Sequence, residues 1–444
     1  MEPPETLLPP PPARIARFGG QPLDGAGHEA PAPPWDAAVV AGEARWETDW
    51  VRLATSLRPD GKLLVEAPPA GPAERDAARD ALEIALAEAG FALRRPGRDR
   101  AATHPEWLQG TRTPFRVHGF QEGQETAILD LFERSFHHRR GVEHWRWQYR
   151  ENPSQQAPPR ITLATDPQDH LVAHYAGYPV TFQRQGTARL AHQIGDTMTA
   201  PEVRHIGRGP TSLLARCGHH FYARYCRRQM AFNYGFNVGN IQKFSMRFLG
   251  AYRVEDVPYW SRPAAAPLPP SATGLLGRPR YRVERDALPD ARWDRLFDRV
   301  ATPYGALVQR TARYLRWRYR DRPGFDYRIL AATRRRQVVA WAVFRRDGDR
   351  LLWGDLLVHP RHGDAPRDLL AAALAHPSAA GVATVEGWFT PRPAFLSPLL
   401  ESLGFTRQPE PQGLALMCVP FLDPTAPEWL ATELYYTMGD GDLF

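Results

Sequence analysis

The chain nearly repeats itself. EHWRWQYRENP at 143–153 returns as RYLRWRYRDRP at 313–323, so that Trp147, Tyr149, Arg150 and Pro153 reappear as Trp317, Tyr319, Arg320 and Pro323, each 170 positions on. Further blocks recur in the same order: LATDPQDHLVAH (163–174) with LAATRRRQVVAW (330–341), IGDTMTAP (194–201) with WGDLLVHP (353–360), and FLGAYR (248–253) with SLGFTR (402–407). The offset drifts from 170 to 154 as loops change length. A peptide motif used twice would not carry a whole element order with it, so the spacing predicts one domain present twice. In that reading the aromatic block is architectural: on a short helix its Trp and Tyr side chains cover a sheet edge, and the following proline ends the helix. A base-stacking platform needs the same residue types.

At 444 residues the chain has room for two or three domains, and 43% hydrophobic with 11% aromatic residues can fill their cores. No apolar run approaches a membrane span. The start, MEPPETLLPPPPARIARF, lacks the basic and apolar regions of a signal peptide. Cys217, Cys226 and Cys418 form no C-x-x-C pair, which points to free thiols, a reducing cytoplasm and no zinc centre. The net charge of +7 raises nucleic acid as a partner. The arginines are scattered rather than gathered on one helix, and Lys62 and Lys243 are the only lysines, which weighs against it.

Composition and periodicity divide the chain. Residues 1–34, rich in proline and glycine, are expected to be a disordered tail. Residues 35–110 read as a small βα module, with KLLVEAP (62–68) a buried strand and 72–91 an amphipathic helix ending in glycine. Residues 115–260 alternate helix and strand signals, 261–279 form a linker, and 280–444 replay the order. The expected fold class is α/β: two mixed sheets flanked by helices, behind the module.

The local motif richest in chemistry is MTAPEVRHIGRGPTSLLARC, 198–217. Here Thr199-x-Pro201-x-x-Arg204-x-x-Gly207-x-Gly209 stands between a strand and a helix. Glycines let backbone approach a ligand closely, and a helix start attracts anions. Backbone N–H groups of His205, Ile206, Gly207, Arg208, Gly209 and Thr211 could converge on a pyrophosphate, with Arg204 and Arg208 adding charge. Pro210 suits the first helical turn. In the second copy Asp364 and Pro366 replace the glycines, and aspartate repels a pyrophosphate.

At these residues the chain resembles the GNAT superfamily of acyl-CoA-dependent N-acetyltransferases, with the second copy degenerate. The resemblance implies acetyl-CoA or another acyl-CoA as co-substrate, a small-molecule primary amine as acceptor and no metal. Thr199 and Asn240 join the loop residues as cofactor contacts. GNAT enzymes often place an acidic tyrosine on the helix after the fifth strand; counting back from Gly250, Met246 holds that position, leaving Ser245 and Tyr252 as substitutes. Asp196 is the first choice for the base, followed by His192 and His174, although Asp355 repeats it in the second copy. His137 and His138 follow the first helix, where related enzymes shape the acceptor site. Some tandem members use a chain-terminal carboxylate as base, which nominates Phe444 if its segment folds into the first copy while Asp440 and Asp442 stay solvated. Aminoacyl or long-chain acyl transfer, acyl-CoA sensing without catalysis, and RNA binding are the alternatives. The stretch LRPDGKLLVEAPP…LAEAGFALRR in the module resembles the late half of a class I methyltransferase without its glycine-rich cofactor loop.

Overall fold

The computed structural model describes residues 15–18, 34–41, 48–66, 72–93, 107–155, 158–207, 209–274 and 277–444. They build three sheets. The smallest holds, in spatial order, Ile15–Phe18, Trp35–Val40, Leu57–Glu66, Trp107–Arg112 and Phe91–Leu93. Its first three strands are parallel, and Trp107–Arg112 runs antiparallel to both neighbours. Ile15–Phe18 corrects the expectation of a wholly disordered 1–34: it pairs with Ala37–Val40. The rest of that tail, apart from Pro34, lies outside the described residues. The helix Pro72–Glu88 carries Leu82 and Leu86 into the core of this sheet, and Gly90 turns the chain at φ 94°. Asp80 and Glu83 on the same helix hold Arg227, which anchors the module to the next layer.

The second sheet runs Arg116–Gly119, Ile161–Thr165, Leu171–Arg184, Thr187–Thr199, Phe232–Asn237, then Ala415–Pro420 and Tyr252–Asp256. The third runs Arg282–Glu284, Arg328–Arg334, Gln337–Asp347, Arg350–Val358, Thr384–Trp388, then Tyr259–Pro263 and Thr406–Gln408. Order and sense are the same in both. Every neighbouring pair on these two paths is antiparallel except the fourth with the fifth strand, which is parallel. The long central strands are near-continuous apolar runs because helices cover them on both faces.

The sixth position is exchanged. Ala415–Pro420, from the end of the chain, completes the first sheet, and Tyr259–Pro263, from before the linker, completes the second. The boundary expected at 260–261 therefore falls inside a strand. Each sheet is incomplete without the other half of the chain, so the halves share one continuous core.

The repeated aromatic block lies where they meet. Trp147 and Trp317 stack with centroids 4.9 Å apart, and each indole N–H donates to the other's backbone carbonyl, at 2.6 Å and 2.8 Å. This reciprocity is the signature of a two-fold-related contact. Only 3% and 4% of these residues is exposed, so they offer no platform to a nucleic-acid base. An Arg–Tyr–Asp arrangement is repeated too: Arg140 and Tyr149 on Asp196 in the first half, Arg310 and Tyr319 on Asp355 in the second. Among the described residues no helix is long and apolar enough to cross a membrane.

Candidate active site

The parallel pair in the first sheet does not stay paired. Thr187–Thr199 and Phe232–Asn237 are in register only through Gln193 and Tyr234, and then part. Beside the parting the first strand bulges: its register with Leu171–Arg184 shifts between His174 and Ala176, and Asp196 takes φ 51°. A bulge re-aims side chains and frees backbone N–H groups. The opening is a cleft of ≈ 300 Å³ lined by Ile194, Gly195, Phe236, Ser245, Leu414 and Met417 among others. Leu414 and Met417 belong to the C-terminal half, so the strand exchange forms part of its wall.

The glycine loop stands at the head of the helix that flanks this cleft. Gly207 and Gly209 sit at φ 70° and 59°, the left-handed region that side chains avoid. A Cβ on Gly207 would lie 2.5 Å from the Thr211 carbonyl oxygen, and one on Gly209 would lie 2.9 Å from the Phe248 ring. Gly209–Thr211 is a short 3-10 turn, and the α-helix begins only at Leu213 with Ser212 as its cap, three residues after Pro210, where the sequence pattern starts it. Not every expected donor is available. Ile206 N–H is used by the Val203 carbonyl, and Arg204 braces the loop by donating to the carbonyls of Thr199 and Ser135. His205, Gly207 and Gly209 have no backbone acceptor for their N–H groups among the described residues. Arg208 lies outside them. These three donors beside a helix start fit a pyrophosphate.

The matching turn in the second half carries a carboxylate where the first has a glycine. Asp364 accepts from Arg280 at 2.8 Å and from the Tyr281 hydroxyl, which keeps a negative charge at the start of this helix.

A second cavity of ≈ 630 Å³ lies beside the first, lined by Phe132, His138, Arg140, His144, Arg322 and Phe325 among others. The two meet at Phe136, Asp196, Asp442 and Leu443, which line both. Asp196 is held there through one carboxylate oxygen, Oδ2. It accepts from Arg140 (2.6 Å), the Tyr149 hydroxyl (2.8 Å) and Gln148 (3.2 Å). Burial works to raise its pKa, but Arg140 and the hydrogen bonds outweigh it and hold the carboxyl below the usual range. A carboxylate held that firmly is a weak proton acceptor, and the duplicate on Asp355 points to a role in the fold. We expect Asp196→Asn to cost about 2–3 kcal/mol at pH 7, because it leaves Arg140 unpaired. A depressed pKa stabilises above the unfolded value of 3.8 and loses that contribution as pH falls through the folded one. The gap between wild type and variant in denaturant midpoint should therefore close below about pH 4. A gap constant down to pH 3 would remove the ion pair from the account.

The other expected residues are scattered. Ser245 lines the cleft and receives a 3.4 Å hydrogen bond from Asn237. Met246 packs instead with Ala251 and Met417. Asn240 is exposed on the first turn of the helix Gly239–Phe248, and Tyr252 is exposed on its strand. His174 is buried with Nδ1 on the Asp196 carbonyl, and His192 is buried between Arg160 and Asn233; neither lines either cavity. His137 caps a helix in the left-handed conformation, and His138 lines the second cavity. The C-terminal segment departs most from expectation. It threads between the halves: Asp440 and Asp442 lie against Tyr234 and Gly195 of the first, and Phe444 turns into the second. Phe444 is buried with its ring against Gly354 of the second half, and its carbonyl oxygen accepts from Arg318 and Arg322. Asp440 is buried on Arg310, and Asp442 is half-buried at the meeting of the two cavities, where solvated side chains were expected. Four arginines (140, 310, 318 and 322) hold the segment or neighbour its carboxylates, and the recurrence of RxxxxxxxxY in both halves was the available signal.

Residues 116–246 match the Acetyltransferase (GNAT) domain family. The domain covers the loop, the bulged strand and the parting. Its architecture, mixed sheets flanked by helices, is shared with solved proteins. A conserved protein of unknown function from Enterococcus faecalis V583 (probable N-acyltransferase) aligns with a TM-score of 0.54 and 13% identity over 70% of this chain and 74% of that one. A GCN5-related N-acetyltransferase from Anabaena variabilis ATCC 29413 aligns with a TM-score of 0.51 and 13% identity over 68% and 72%. No curated protein matches the chain at the sequence level. The GNAT-type domain supports an acyltransferase.

Proposed function

We propose that the protein transfers an acyl group, acetyl in the simplest case, from acyl-CoA to a primary amine of a small molecule. The observation that carries this reading is the meeting of two cavities at the parted strands: one bordered by Leu214 and Tyr222 of the helical segment that follows the glycine loop, the other open to a second substrate. Coenzyme A would lay its pyrophosphate on the N–H groups of His205, Gly207 and Gly209 and bring its thioester to the parting. There the unpaired edge beyond Gln193 can donate to the thioester oxygen as negative charge develops on it. Positioning the amine against that carbonyl supplies the rest. The second half contributes Met417, Leu414 and Arg322 to the walls and, in this reading, binds no coenzyme A of its own.

The test is release of free coenzyme A from acetyl-CoA, followed with a thiol reagent, on addition of a panel of amino sugars, amino-acid amides and polyamines, with mass spectrometry of the products. The protein's own thiols are buried and should add little background. We expect at least one amine to accelerate release and gain 42 Da, on the order of an acetyl group in place of a proton. Binding of acetyl-CoA with no turnover on any amine would favour the sensing alternative.

A further inference from the structure

Resting on that reading, we infer that Asp442 is the general base that removes the proton from the acceptor ammonium. Its carboxylate lines both the cleft and the second cavity, where the amine must meet the thioester. One oxygen lies 3.1 Å from where a Cβ of Gly195 would stand, so the absence of a side chain at 195 is what lets it reach the parted strands. Among the described residues no side chain donates a hydrogen bond to it, in contrast with Asp196 next to it. The backbone around it is nevertheless fixed. The Gln193 side-chain amide, with its oxygen turned toward it, accepts from its N–H at 2.8 Å, Arg322 donates to its carbonyl at 3.4 Å, and Arg318 holds the carbonyls of Gly439 and Gly441. A carboxylate with no side-chain donor, on a pinned backbone, is the arrangement a base requires.

The charged and titratable groups facing it are Asp196, Arg140, His144, Tyr178, Arg318 and Arg322. Burial, then the negative charge of Asp196, push its carboxyl up to about 6 against the pull of Arg140 and Arg322. His144 is the other group of matching type, and burial beside Arg140 and Arg322 lowers it to about 4. Near neutral pH Asp442 is thus ionised yet basic enough to accept a proton, and His144 is too weak a base to compete.

The step balances as follows. Asp442 takes one proton from the ammonium. The amine nitrogen forms a bond to the thioester carbon, the C–S bond breaks, and its electron pair leaves on sulfur. The second nitrogen proton passes to that thiolate, giving amide and free thiol, and Asp442 returns its proton to water.

The experiment compares wild type, Asp442→Asn and Asp442→Glu with acetyl-CoA, using an accepted amine from the panel above and hydroxylamine, which is already uncharged at pH 7.5. Wild-type kcat/KM for the ammonium substrate should rise with pH through about 6. Asp442→Asn should lose about 100-fold or more in kcat with unchanged acetyl-CoA affinity, and should lose that rise. Asp442→Glu should recover part of the rate, and the defect with hydroxylamine should be much smaller. Folding is checked separately: a raised carboxyl pKa costs stability as pH climbs from 3.8 to about 6, so Asp442→Asn should melt no lower than wild type at pH 8. Wild type active with Asp442→Asn equally active, or equally defective on both nucleophiles, overturns the base. Wild type inactive on every amine overturns the acyl-transfer reading, and the base with it.

Discussion

Arg310→Met should destabilise the protein by about 3–5 kcal/mol at pH 7.5, the largest loss expected from any single side chain in this fold. Arg310 is fully buried between the halves. It donates to Asp355 at 3.2 Å and to Asp440 at 2.5 Å, and Asp355 also receives the hydroxyls of Tyr319 and Thr437. Replacing it leaves two carboxylates facing each other with no cation between them. Burial already raises the Asp440 carboxyl, and Arg310 is what opposes that rise. The variant should therefore be less unstable at pH 5 than at pH 8, because a proton can then replace the missing charge. Arg140→Met is the control from the other half. Arg140 is 19% exposed at its side chain and its partner Asp196 9%, so water can reach the orphaned carboxylate and the loss should be smaller. Denaturant midpoints for the two variants, taken at both pH values, check this directly. An equal loss in both would mean that burial of the second pair does not govern its energetics.

Gly207→Ala should weaken acyl-CoA binding by about 100-fold while lowering the melting temperature by only a few degrees. Two physical terms add. Alanine at φ 70° costs about 1–2 kcal/mol. Its methyl group would also lie 2.5 Å from the Thr211 carbonyl oxygen, a backbone atom that cannot rotate away, so the turn must open. The donors of His205, Gly207 and Gly209 then no longer converge. Gly207→Asp adds a negative charge facing the pyrophosphate and should abolish binding. Gly207 itself is exposed, which is why affinity should report the change more strongly than stability. A fall in melting temperature with affinity unchanged would make this a packing glycine.

The repeat was legible because both copies kept a costly residue set. Trp147 and Trp317 are held by a reciprocal contact in which each indole N–H needs the other's carbonyl. The glycine loop was legible for a similar reason, since left-handed φ values leave little choice of residue. Where sequence reasoning stopped is equally physical. Periodicity identifies a strand but not its neighbour, so the swap of Tyr259–Pro263 and Ala415–Pro420 between sheets left no local trace. The stretch at 261 looked like linker because proline and alanine dominate it, yet its first three residues pair with 384–386. Asp196 looked catalytic because it precedes the loop on the right strand; Arg140 and Tyr149, distant in sequence, take up its charge. Asp442 was passed over because chain ends are usually solvated. Here four arginines with roles at or near the segment make it part of the core.

The central claim is that one acyl-CoA binds per chain, at the parted strands of the first half. Calorimetric titration of wild type with a non-reactive acyl-CoA thioether tests it most directly. The account predicts a stoichiometry of about one, retained in Asp364→Gly and lost in Gly207→Asp. Two equivalent sites per chain, or one site indifferent to Gly207→Asp, would contradict it.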